Sequence, residues 1–345
     1  MDMLCCTNCF THSFLKKEIG KASTKNGECS FCNSKKDYPL CTPSSLIDLF
    51  QPLLDLYSEA SSGQLINELL QDDWKMFSKN INKKNQLQLI SRIAGLENLK
   101  SKKFTSRFVM NKAYIGKWGA FTHELKHENR FFPKNAIDTY QLSELFNYLI
   151  MPNEKNPKYV FRARINHQSK ILPITEMGKP PLVESKDGRA NPKGISYFYG
   201  ASDEKTAIAE SRPYKSEAVC VAKFKVHKKI SLIDLRDPKR TISPFGLDDD
   251  TLFLLYREHM PFLGHLSATL SKPVLPHKKE LEYLPTQYLC ELIKYNKFNG
   301  IVFKSSLEKG DNCVFFDDSF LKGVKVETYI VSDTMVKSVK QRIKK

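Results

Sequence analysis

Apolar residues recur at three- and four-residue spacing in "TPSSLIDLFQPLLDLYSEA", behind Thr and Ser in capping position, and this periodicity predicts a helix. The same spacing returns in "SGQLINELLQDDW", "NQLQLISRIAGL" and "DTYQLSELFNYLI", separated by polar connectors rich in Lys, Asn and Ser. Residues 43–155 therefore read as an all-helical domain. At "MPNEKNPKYVF" the texture changes to short apolar runs, which places a domain boundary near residue 155. "YVFRARI", "GISYFYGA", "EAVCVAKFKV", "ISLIDL", "GIVFK", "NCVFFD" and "VKVETYIV" read as strands, with "ASDEKTAIAESR" and "PTQYLCELIKYN" as helices between them. Because strands and helices do not alternate evenly, residues 156–345 are expected to form an α+β domain with a mostly antiparallel sheet. No internal repeat is visible.

Six of the nine cysteines fall in the first 41 residues. Cys6/Cys9 and Cys29/Cys32 each have the two-residue gap of a zinc knuckle, and four thiolates from two such turns can surround one tetrahedral zinc. Residues 1–42 are thus expected to be a four-cysteine module with a structural Zn2+, since so short a segment has little core of its own. Cys5, His12 and Cys41 are alternative ligands at this stage, and Cys220, Cys290 and Cys313 read as small core residues.

The formal charge of +16 and the basic finish "MVKSVKQRIKK" favour anionic partners. They do not require nucleic acid, because Lys and Arg are spread over the chain rather than gathered in one stripe with interleaved aromatics. There is no signal-peptide pattern and no apolar run near the roughly 20 residues of a membrane span, so a cytoplasmic protein without a membrane partner is expected. "HELKH" at 123–127 has the spacing of a zinc-protease motif, but an aromatic and proline-containing segment follows within a few residues; the reading preferred is a solvated, charged helix end.

One constellation remains. In "GRANPKGISYFYGASDEKTAIAESRP", Gly188, Arg189 and Asn191 form a loop, Tyr199 follows the arginine by ten residues, and Glu210 follows the tyrosine by eleven. Arg162 and Arg164 lie in the preceding strand "FRARI", and Ser305 and Ser306 follow in "GIVFKSSLEKGDN". With these residues the chain resembles the RES-domain family over about residues 157–330, and its cysteine and helical regions resemble the N-terminal part of longer members. The resemblance implies a fold like that of ADP-ribosyltransferase toxins, breakdown of NAD+ at its nicotinamide–ribose bond, a toxin–antitoxin or antiviral defence role, and an antitoxin partner such as restrains short members.

The residue types suit that chemistry. A planar guanidinium can grip a pyrophosphate through parallel hydrogen bonds, a role for Arg189 and one of Arg162 or Arg164. A tyrosine face can stack on the cationic nicotinamide, a role for Tyr199. A carboxylate beside the ribose carbon stabilises the charge that develops as the bond breaks, a role for Glu210, while a serine hydroxyl can hold the carboxamide or ribose. Two other readings stay open: transfer of ADP-ribose to a macromolecule, and a zinc-containing nucleic-acid-binding protein.

Overall fold

The computed structural model describes residues 3–32, 34, 37–107, 113–135, 137–167, 171–227 and 229–333. Its elements in chain order begin with β1 (Cys5–Cys6), α1 (Ser13–Ala22), β2 (Lys25–Gly27), β3 (Tyr38–Cys41), α2 (Ile47–Leu54), β4 (Tyr57–Ala60), α3 (Ile66–Trp74), α4 (Lys83–Ala94), β5 (Lys103–Ser106), α5 (Ala113–His127) and α6 (Thr139–Tyr148). They continue with β6 (Tyr159–Asn166), β7 (Phe198–Ala201), α7 (Glu204–Ser211), β8 (Ala218–Val226), β9 (Leu232–Asp234), α8 (Pro238–Thr241), α9 (Asp249–Leu254), α10 (Met260–Ser271), α11 (Lys279–Glu282), α12 (Leu284–Tyr295), β10 (Gly300–Lys304), β11 (Asp311–Phe315) and β12 (Leu321–Ile330). No helix among the described residues is long and apolar enough to cross a membrane.

The chain divides into two compact units that do not follow its order: Met1–Gly116 with Pro238–Gly264, and Lys117–Asp237 with His265–Lys345. These units cut the chain differently from boundaries at 42 and 155, because residues 238–264 leave the second unit to pack in the first. In the first unit β1, β3 and β2 form a small antiparallel sheet beside helices α1–α4. Asn82 caps α4 by accepting from the Asn85 N–H, and Gly95 ends it with a left-handed φ of 63°. Between the helices the structure adds a feature that helical spacing did not reveal: β4 and β5 pair antiparallel, Tyr57 opposite Ser106. The excursion 238–264 is held by Phe245, buried against Phe14 and Phe50, and by Asp73, which accepts from Tyr57 Oη at 3.0 Å and Tyr256 Oη at 2.5 Å and pairs with Lys239 at 2.7 Å.

The second unit is built on a seven-stranded sheet in the order β12-β8-β6-β7-β11-β10-β9, antiparallel except for the β10/β9 pair. Alternation explains which face is filled. Val160, Cys220, Ala222, Phe224, Phe198, Cys313 and Phe315 project into one core. The sheet is nevertheless two ladders hinged at a point, since β6 pairs with β8 over eight residues but with β7 only at Phe161 and Ala201. Away from that pair the strands diverge, and the gap is where the side chains discussed next collect.

The motif at 123–127 closes α5, but not as a solvated end. Glu124 is only 2% exposed and its carboxylate accepts from the backbone N–H groups of Lys134 and Asn135 and from the Asn135 amide. Those bonds lower its pKa from the ordinary carboxylate value, with burial opposing. Occupied by the loop that follows, it serves structure, while His123 faces Glu128 at 3.2 Å near the surface.

Candidate functional site

The first unit brings Cys6, Cys9, Cys29 and Cys32 together with all four sulfurs within 4.8 Å of one another. Cys6 lies 4.0 Å from Cys9 and 3.5 Å from Cys32, and Cys9 lies 3.4 Å from Cys29. Four thiolates at about 2.3 Å from a tetrahedral zinc would be separated by roughly 3.8 Å, so the cage has the right size. The alternatives are otherwise engaged: Cys5 and Cys41 face each other across β1 and β3 at 3.6 Å, and His12 Nε2 meets the Trp74 carbonyl at 2.7 Å. Hydrogen bonds within the cluster pull the Cys29 thiol down and push those of Cys6 and Cys9 up, so the case for a metal rests on the spacing of the sulfurs.

In the second unit the divergence of β6 and β7 opens a cleft of about 670 Å³, within the range of nucleotide-sized sites. Arg162, Arg164, Lys186, Arg189, Arg212 and Lys279 line it against three carboxylates, Glu184, Asp187 and Glu210. Arg162 and Arg164, two apart on β6, both reach it. Arg162 is the more deeply set: Nη1 donates to the Tyr199 carbonyl at 3.0 Å, the guanidinium lies 5.2 Å from the Phe198 ring centre, and Nε is buried without a hydrogen-bond partner. Burial, with the like charge of Arg164, pulls it down to about 10. Arg164 spends Nη2 on the Gly178 carbonyl at 3.1 Å.

The loop at 188–191 is held from both sides. Asn191, 3% exposed, places its amide among the carbonyls of Lys186, Pro192 and Ile195, and its Oδ1 accepts from Tyr199 Oη at 2.6 Å. Tyr199 Oη in turn accepts from the Ala190 N–H at 3.0 Å, and Gln287 on α12 donates to the carbonyls of Gly188 and Asn191. A Cβ at Gly188 would lie 2.2 Å from both Asn191 Oδ1 and Tyr199 Oη, so only glycine fits. Asn191 thus braces Tyr199 at the wall of the cleft. Burial pushes the Tyr199 phenol well above its ordinary value, which keeps it neutral. Arg189 Nη1 donates to the carbonyls of Lys272 at 2.6 Å and Thr269 at 3.4 Å, with its guanidinium 5.5 Å from the Tyr283 ring centre.

Glu210 sits on the last turn of α7, a helix capped by Asp203 through the Thr206 N–H and stopped by Arg212 at φ 51°. Its Oε1 accepts from Ser305 Oγ at 2.7 Å and from Asn312 Nδ2 at 2.8 Å. Ser305 therefore touches the carboxylate and does not itself line the cleft; Ser306 is exposed and lines nothing. Asn312, Tyr283, Lys279 and Arg212 line the cleft and escaped sequence reasoning. The strand alternation of "DNCVFF" was the one signal that could have found Asn312, which shares a face of the sheet with Tyr199.

Two outcomes follow from these contacts. Cys29→Ser should leave purified protein with far less than the roughly one zinc per chain expected of wild type by elemental analysis, along with locally lost structure. Tyr199→Phe should lower stability by about 2 kcal/mol in urea unfolding, because the Ala190 N–H and Asn191 Oδ1 lose a buried partner; an unchanged midpoint would contradict the bracing role.

A scan of family models matches the RES domain over residues 160–334. No curated protein matches the chain. Among solved structures, a chain of the crystal structure of the M. tuberculosis MbcT–MbcA toxin–antitoxin complex is similar at a TM-score of 0.34 and 10% identity, over 57% of this chain and 94% of that one. The family match takes in just over half of the residues, from the second residue of β6 through all of β12, and so includes every side chain placed around the cleft on the sheet and on α7. The chain belongs to the RES-domain family.

Proposed function

We propose that this chain is an NAD+-consuming enzyme that cleaves the nicotinamide–ribose bond, acting as the toxin of a toxin–antitoxin or defence system. One observation carries the reading: a cleft holds a half-buried arginine whose Nε is buried with no hydrogen-bond partner among the described residues, and a carboxylate fixed by two hydrogen bonds at its edge. A guanidinium N–H buried without an acceptor is costly, and a ligand bringing an anionic oxygen to it offsets that cost. Arg162 suits the diphosphate of a dinucleotide better than Arg164 does, since its Nε lacks a partner. Arg189 borders the cleft from the opposite loop, with Nε and Nη2 free of the carbonyls that hold Nη1.

The chemistry requires little more. As the glycosidic bond lengthens, the electron pair leaves with nicotinamide, which departs neutral and needs no proton. Positive charge grows on the ribose, and the Glu210 carboxylate interacts with it more strongly in the transition state than in the substrate. Tyr199 offers a ring rather than a hydroxyl, as its Oη is already committed to Asn191 and Ala190. The acceptor that completes the reaction is water or phosphate in this reading. The zinc cage supports a structural role, since all four of its ligands lie in the first unit and all the cleft residues in the second. An antitoxin that covers the cleft is the partner the family resemblance implies.

Glu210→Gln keeps size and hydrogen bonding but removes the charge. Its kcat for NAD+ consumption should fall at least ~100-fold with KM little changed, whereas Arg162→Ala should chiefly raise KM. Release of nicotinamide followed by chromatography reads both. A Glu210→Gln enzyme of wild-type activity would contradict the mechanism, and a wild-type protein inert towards NAD+ would contradict the reading as a whole.

A further inference from the structure

Glu210 stands on an eight-residue helix and is exposed, so nothing in α7 itself fixes the end of so long a side chain. We propose that the β10–β11 hairpin is the device that fixes it, and that Asn312 is a positioning residue for the carboxylate in the cleavage reaction proposed above, on which this inference rests.

The hairpin touches α7 at both ends. At the N-terminus of the helix, the Asp311 N–H donates to Ser202 Oγ at 2.9 Å and the Ser202 N–H donates to the Asp311 carbonyl at 2.9 Å. Gly310 lies so close to the helix cap that a Cβ there would stand 2.2 Å from both Asp203 Oδ2 and Thr206 Oγ1. At the C-terminal turn the same hairpin supplies both donors to Glu210, Ser305 from its first turn residue and Asn312 from the start of β11.

The donor assignments are forced. Ser305 Oγ accepts from the N–H groups of Leu307 at 3.1 Å and Glu308 at 3.2 Å, leaving its one proton for Glu210. The Asn312 amide can only donate to a carboxylate. Both bonds end on Oε1, and Oε2 accepts none from the described residues, so the pair fixes the plane of the group while leaving one oxygen for a developing cation. Asn312 is also the member with a fixed base. It pairs with Ala201 of β7 and Phe303 of β10 in mid-sheet, and both partners line the cleft, whereas Ser305 lies in the turn. Register of the sheet is thereby transmitted to one carboxylate.

The test has two arms. Asn312→Leu keeps the size and loses the donor: kcat for NAD+ should fall about 10-fold or more with KM within about twofold of wild type, and placed in a Glu210→Gln background it should add almost nothing. A loss of equal size in both backgrounds, or a loss that appears in KM alone, would overturn the positioning role. The second arm needs no turnover. In 15N-labelled protein carrying Glu210→Ala, the Asn312 side-chain amide resonances should move towards those of a free amide, and unmoved resonances would overturn the contact. If wild type fails to consume NAD+ while the amide still responds to Glu210→Ala, the contact stands and its catalytic role falls with the reading of the site.

Discussion

The second unit depends on how little β6 and β7 share. A sheet of seven strands with a full ladder at its centre would bury Arg162 and Tyr199 in pairing strands and leave no room between them. Here the ladder contracts to Phe161 and Ala201, and the two half-sheets part on either side of that pair. Core packing on Val160, Phe198 and Phe224 holds the halves in place, and the loop through Arg189 completes the wall of the cleft.

What the cleft can do follows from what its groups are already doing. Tyr199 has committed its hydroxyl, Asn191 its amide and Ser305 its proton, each to another residue of the site. These groups rigidify the cleft more than they offer contacts to it. Arg162 and Glu210 are the reverse case, the first with a buried nitrogen lacking an acceptor and the second with a carboxylate oxygen to spare. A site that offers a cationic donor and an anionic acceptor, with the Tyr197 hydroxyl on its wall also unpartnered among the described residues, suits a ligand that carries a diphosphate and develops positive charge, which is the chemistry the RES-domain resemblance implies.

Much of this was legible in the chain because it is local. The apolar patterns placed Arg162 and Arg164 on a strand and Glu210 on a helix, and the spacings from Arg189 to Tyr199 and Glu210 span one loop, one strand and one helix. The paired knuckles likewise specified their cage. The parts that escaped depend on contacts distant in sequence. Asn312 meets Glu210 across 102 residues, a partnership that the alternation of its own strand does not contain. Tyr57 faces Ser106 through a pairing that the helical periodicity around it concealed. The excursion 238–264 joins the first unit through contacts distant in sequence, Asp73 with Tyr256 and Lys239 and Phe50 with Phe245. Glu124 reads as part of a solvated helix end because an aromatic and proline-containing segment follows it, and it is buried because that same segment supplies N–H donors to its carboxylate.

The central claim is that the cleft binds a dinucleotide with its diphosphate at Arg162 and its ribose at Glu210. A crystal structure of the protein with ADP-ribose tests it most directly. The account predicts phosphate oxygens within hydrogen-bond distance of the Arg162 guanidinium and the ribose carbon that bore nicotinamide facing Glu210 Oε2. Density for the ligand elsewhere, with Arg162 Nε still lacking an acceptor, would contradict it.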